Sequence, residues 1–205
     1  MTSVTTYLSS TEREVNIMGF DLYGMNPAEQ EHNKPNLELY DQDKEAWHKQ
    51  YKDWREQDGA YFRNNVWWWR RLASYVLDCC DDMIPDDDHQ GWHENGGHEV
   101  SEALAIKIAD RIQKHIDSGD AKQFETEIMD RVKKAEEHNK FIDKRLDDLC
   151  AKHNVPNCSK LEPEAKELWD EIYDERSWDD SYPFEVVNLE SFIKFCRESG
   201  GFEIC

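Results

Sequence analysis

The sequence predicts a mainly α (α+β) protein: a helical single domain with a small terminal β element. Three observations carry this. Apolar residues recur at three- and four-residue spacing through most of the chain, strict alternation is confined to short stretches near residues 20 and 203, and Gly, Pro and Asn clusters punctuate the periodic runs. With 205 residues, one compact unit with a real core is expected.

Residues 1–17 are rich in Ser and Thr and lack periodicity, so they read as a flexible extension, and the organised domain is expected to span 18–205. Gly19, Phe20, Asp21, Leu22, Tyr23 and Gly24 alternate apolar and polar between glycines, as in a half-buried strand, and Asn26-Pro27 ends it. An Asn-, Pro- and Glu-rich loop follows to about Leu39. Over 43–58, Trp47, Tyr51 and Trp54 fall on one helical face, and Gly59 is the expected stop. The next helix is expected over 65–83, with Trp68, Leu72, Tyr75 or Val76, Cys79 and Met83 inward.

Pro85 to Gly91 and Asn95-Gly96-Gly97 are loops. From Val100, the residues Leu104, Ile108, Ile112 and Ile116 make a single i, i+4 stripe closed by Ser118-Gly119-Asp120. A more charged helix is expected over 121–152. Its stretch 133–140 is poor in apolar residues and marks a candidate protruding hairpin around 121–160. Short helices follow over 165–173 and 189–198. Phe202-Glu203-Ile204 alternates like a last strand, able to pair with the strand around Phe20.

The formal charge is −20, from 45 acidic against 25 basic residues. Such a field repels DNA, RNA and anionic membranes over roughly 8 Å at physiological salt, so direct binding of polymeric nucleic acid is not expected. A local positive pocket for a small phosphate ester remains allowed. No stretch approaches the ~20 apolar residues of a membrane span, and the first residues lack a basic-then-apolar leader. The expected location is the cytoplasm. The six cysteines contain no Cys-x-x-Cys pair, and reduced thiols are expected.

Residues 61–72 concentrate five aromatic rings, three arginines and two asparagines. Rings stack on a base, guanidinium groups fork onto phosphates, and Asn amides read hydrogen-bonding edges. Three consecutive tryptophans project roughly 100° apart on a helix, so they cannot share one core. Tyr61, Phe62, Arg63, Asn64 and Asn65 are the leading contact candidates, at an expected helix entrance where free N–H groups favour anions. Trp68 and Leu72 are assigned to the core, with Trp67, Trp69, Arg70 and Arg71 undecided but retained as candidates. The reading weighed against this is a core helix with surface ion pairs, or a protein interface anchored by Trp and Arg.

Trp92 and Asn95, in the Gly-rich run before Val100, are candidates for another pocket wall. The acids and histidines from Asp86 to His98 fit no metal-ligand spacing, and a solvated turn is the expected reading. No metal site is expected. There is no Gly-x-Ser-x-Gly elbow, Walker loop or dinucleotide fingerprint, so no catalytic residue is assigned and no cofactor is expected.

The stretches Met18-Gly19-Phe20-Asp21-Leu22-Tyr23-Gly24, Tyr61 to Leu72, and Ser199-Gly200-Gly201-Phe202-Glu203-Ile204-Cys205 resemble a family of uncharacterised proteins encoded by phages and prophages. They cover about an eighth of the chain. The resemblance implies an accessory role in a host cell, such as binding a host defence protein or a nucleotide-derived immune signal. It supplies no catalytic residues. The expectation is sequestration of such a signal without chemistry, in a homo-oligomer. An acidic inhibitor or DNA mimic of a host defence enzyme, and a small nucleotide hydrolase or transferase, are the alternatives.

Overall fold

The computed structural model describes residues 19–205, so the extension expected at 1–17 lies outside the described residues. The chain is mainly α with one small antiparallel sheet, as the periodicity predicts. It divides into two compact units, one comprising 19–122 with 185–205 and the other 123–184.

In the first unit, strand β1 (Gly19–Gly24) lies between β2 (Tyr61–Asn65) and β4 (Gly201–Ile204), and β3 (His98–Ser101) completes the order β2-β1-β4-β3. Leu22 stands opposite Phe62 on one side and Ile204 on the other, and Val100 opposite Phe202. Because side chains alternate along a strand, Phe20, Leu22, Phe62, Val100, Phe202 and Ile204 share the core face. Asp21, Tyr23, Tyr61, Arg63 and Glu203 share the opposite one. The pairing of the first and last strands follows their alternation; β2 and β3 were not expected.

Helix α1 (Leu37–Gln42) occupies part of the expected loop and leads into α2 (Lys44–Arg55), which Asp43 caps by accepting from the Ala46 N–H at 3.0 Å. The aromatic face read from the sequence is a ring ladder. Trp47 stacks on Tyr51 with centroids 4.7 Å apart, Tyr51 lies 5.6 Å from Trp54, and Trp54 stacks on Tyr23 at 6.0 Å.

Helix α3 (Val66–Cys79) follows β2 directly. Its buried side is Trp69, Leu72, Ala73, Val76 and Leu77, whereas Trp68 is only half-buried. That overturns the core assignment of Trp68 and places Trp69, left undecided and retained as a contact candidate, in the core: the stripe runs one residue later, about 100° round the helix. Trp69 is sandwiched between Phe20 at 5.6 Å and Trp92 at 6.0 Å, and its indole N–H donates to the Trp92 carbonyl at 2.7 Å.

Residues Asp86–His93 form a 3-10 stretch that delivers Trp92 to this stack. Ser101 then caps α4 (Glu102–Ser118), whose Ile108 and Ile112 are fully buried. Helix α4 packs along α7 (Val186–Glu198), which inserts Leu189, Phe192, Ile193, Phe195 and Cys196 into the core. Gly200, at φ 63°, turns α7 into β4; a Cβ there would sit 2.2 Å from the Asn26 carbonyl oxygen.

Helix α5 (Asp120–Lys152) starts in the first unit, and its remainder belongs to the second with α6 (Pro163–Asp174). There Ile142, Leu146, Leu149 and Ile172 form a separate core, with Trp169 and Tyr173 packed against it. Buried Asn139 fastens the segment after α6. Its amide donates to the Ser177 carbonyl at 2.8 Å and to Asp180 at 2.7 Å, and its oxygen accepts from the Ser177 N–H. All six cysteines are free thiols.

Candidate functional site

The twelve-residue segment 61–72 does not converge on one point, because a strand and then a helix distribute its side chains in different directions. Within β2 the alternation sends Phe62 and Asn64 to the core face and Tyr61 and Arg63 to the other. Phe62 packs against Phe192 and Phe195 at 5.5 and 5.7 Å, which makes it a core ring. Tyr61 donates its hydroxyl to Asp21 and carries the Arg55 guanidinium 3.9 Å above its ring. Burial first, then the bond to Asp21, holds the Tyr61 phenol above its ordinary pKa.

Asn65 closes the strand and opens the helix. Its Oδ1 accepts from the N–H groups of Trp67 and Trp68 at 3.0 and 3.1 Å. The α3 entrance is therefore a strand-to-helix junction, and its first free donors are satisfied from within the chain.

A cleft of about 460 Å³ lies where the edge strand β2 and the start of α3 face the first turns of α7. One wall is Arg63, Asn64, Asn65 and Trp68; the other is Glu185, Val187, Asn188 and Ser191. Asn64 is half-buried, and its Nδ2 is fully buried without a hydrogen-bond partner. A buried amide donor left unmade is costly, on the order of 1–3 kcal/mol.

Arg63 is exposed and holds only a loose pair with Asp21, Nε to Oδ1 at 3.5 Å. Trp68 presents a half-buried indole. On the facing wall, the α7 N-cap Glu185 makes no side-chain cap bond, and Asn188 is half-buried. Ser191 donates its hydroxyl to the Val187 carbonyl at 3.0 Å. The cleft thus offers one guanidinium, three amides, of which that of Asn65 caps α3, and an indole face, with Glu185 as the opposing charge.

The other predicted residues lie elsewhere. Trp69 and Trp92 are fully buried and stacked on each other, so both are structural. Asn95 donates to the Gly19 carbonyl at 3.0 Å and ties its loop to β1. Trp67 and Arg71 are half-buried and Arg70 is exposed, and none of the three lines the cleft. Sequence reasoning missed Trp68 as a cleft residue and missed the whole α7 wall. Three apolar rings in a row left the helix phase open, and residues 185–191 have an ordinary composition.

Among the described residues, no group of three His, Cys, Asp or Glu side chains is placed to hold a metal ion, and no helix is long and apolar enough to cross a membrane. Comparison of the chain with protein-family models, with curated proteins and with solved structures finds no match.

Proposed function

We propose that the protein binds a small nucleotide-type ligand in the cleft between β2 and α7 and holds it unchanged. The observation that carries this reading is the buried, unpartnered amide of Asn64 beside the Arg63 guanidinium and the Trp68 indole. Those groups suit the edge of a base, a phosphate and a ring face respectively. A volume of about 460 Å³ falls within the range of small-molecule sites, ~300–1,000 Å³. The only hydroxyl on the α7 wall is engaged with a backbone carbonyl rather than with a base, which favours retention over group transfer. In a phage setting, as the sequence resemblance suggests, retention would remove a nucleotide-derived immune signal from its receptor.

The test is a thermal-shift screen of the full chain against cyclic nucleotides, ADP-ribose derivatives and NAD, followed by chromatography of the ligand released on heating. Stabilisation by one class, its recovery intact, and its loss in Arg63→Gln and Asn64→Leu are expected. A chemically altered ligand would establish an enzyme instead. No shift with any nucleotide would end the proposal.

A further inference from the structure

We propose a second anion site on the opposite face of the sheet, where the Arg55 guanidinium, flanked by Lys52 and His48, takes a phosphate group. It lies in a cleft of about 410 Å³ lined by His48, Tyr51, Lys52, Arg55, Glu56 and Tyr61. His48, Lys52 and Arg55 follow one another at four and three residues along α2, so they share one helical face. In a chain of charge −20 that is a local basic stripe.

The geometry of Arg55 carries the inference. Its guanidinium carbon lies 3.9 Å from the Tyr61 ring centroid and 5.4 Å from that of Tyr51, and it makes no hydrogen bond or ion pair with any described residue. Stacking uses the faces of the guanidinium plane and leaves the in-plane N–H fork open, the edge that matches phosphate oxygens. The stack also fixes the fork in advance, so little side-chain freedom is lost on binding. Tyr61 cannot swing away readily, because its hydroxyl is held by Asp21.

Lys52 sits 3.7 Å from Glu56, both side chains well exposed at 72% and 66%. Such a pair is weak, and the ammonium can exchange it for a more highly charged anion. Glu56 also lines the cleft, and its repulsion of a phosphate is opposed by the attraction of Arg55 and Lys52. The site is independent of the β2–α7 cleft: Arg63, Asn64 and Trp68 do not line it.

The experiment is an NMR titration of the full chain, following arginine Nε–H resonances at constant ionic strength with inorganic phosphate and, separately, with phenyl phosphate. One arginine signal, absent in Arg55→Gln, is expected to shift saturably at millimolar or lower concentration, and Lys52→Gln should weaken binding by roughly tenfold. Arg70→Gln, at an exposed arginine that lines neither cleft, should leave it unchanged. Equal affinity for the two probes assigns the free ion, and tighter phenyl phosphate assigns an ester; both support the site. No saturable shift with either probe, or the same saturable shift in Arg55→Gln, overturns it. The exposed Lys52→Gln variant reads the site even if Arg55→Gln fails to fold. Nucleotide binding that fails in Asn64→Leu while phosphate binding persists separates the two clefts.

Discussion

Replacing Asn64 with leucine should make the protein more stable and less able to bind. The side chain keeps its branch at Cγ, and the cleft of about 460 Å³ in front of it accepts the added volume. What disappears is a buried Nδ2 with no partner, whose desolvation costs on the order of 1–3 kcal/mol. After allowing for imperfect packing of the new methyl groups, a net gain of about 1 kcal/mol is expected. For a chain of this size that raises Tm by roughly 2–4 °C. The same change removes an amide side chain that lines the cleft, so on the proposed function nucleotide affinity should fall by about tenfold or more. Urea unfolding measures the first effect, with the midpoint rising at constant slope, and thermal shift with ligand measures the second. A destabilisation of about 1 kcal/mol or more at unchanged slope would show that the amide is satisfied in the free protein. The orphaned-donor argument, and the functional reading built on it, would then fail.

Three other outcomes follow from the packing and titration of the first unit. Trp69→Phe removes both a fully buried indole and its 2.7 Å bond to the Trp92 carbonyl, and should cost about 2–4 kcal/mol in urea unfolding; a loss under about 1 kcal/mol would contradict the stacked core. Gly59→Ala places a Cβ 1.9 Å from the Glu198 carbonyl oxygen at a φ of +80°, and a loss of several kcal/mol, read as a lowered Tm or insoluble product, is expected. Alkaline pH should also destabilise the fold. Burial, chiefly, pushes the Cys80 thiol up to about 12 and the Cys196 thiol well above its ordinary value. A folded pKa above the unfolded one means stability is fully present below about pH 9 and is lost as pH rises towards 12, by at most about 1.4 kcal/mol per pH unit per thiol. Urea midpoints that stay flat between about pH 8 and 11 under reducing conditions would refute it.

The parts of the fold that were legible in the sequence are those whose burial is one-sided. Helix α4 shows its Ile stripe because only one face is covered, and β1 and β4 show their alternation because Phe20, Leu22, Phe202 and Ile204 point to the same core. Strand β2 hides its identity. Its outer face carries Tyr61 over the Tyr23 and Arg55 layer and its inner face carries Phe62, so both faces look aromatic and no alternation remains. In α3 the phase was undetermined for a related reason. Trp68 with Leu72 and Cys79, and Trp69 with Leu72, Ala73, Val76 and Cys80, are both apolar series at helical spacing. The choice between them is made by Phe20 and Trp92, distant in sequence, which stack on Trp69.

Density of suggestive side chains along the chain is therefore not density in space. Of the segment 61–72, one ring enters the core from a strand and another from a helix, Tyr61 serves the opposite face, and Arg70 and Arg71 leave in other directions. Arg63, Asn64, Asn65 and Trp68 stay together because the strand ends at Asn65 and α3 begins there, so the chain turns around a single point. Their partners Glu185, Asn188 and Ser191 are common surface residues on a helix more than a hundred positions later. They become part of a cleft only because Phe192 and Phe195, on the buried side of the same helix, pack against Phe62. The core contact sets the distance between the walls. A binding role for Asn64 thus depends on Phe62, its strand neighbour two residues earlier on the same face, more than on the tryptophans that first draw the eye.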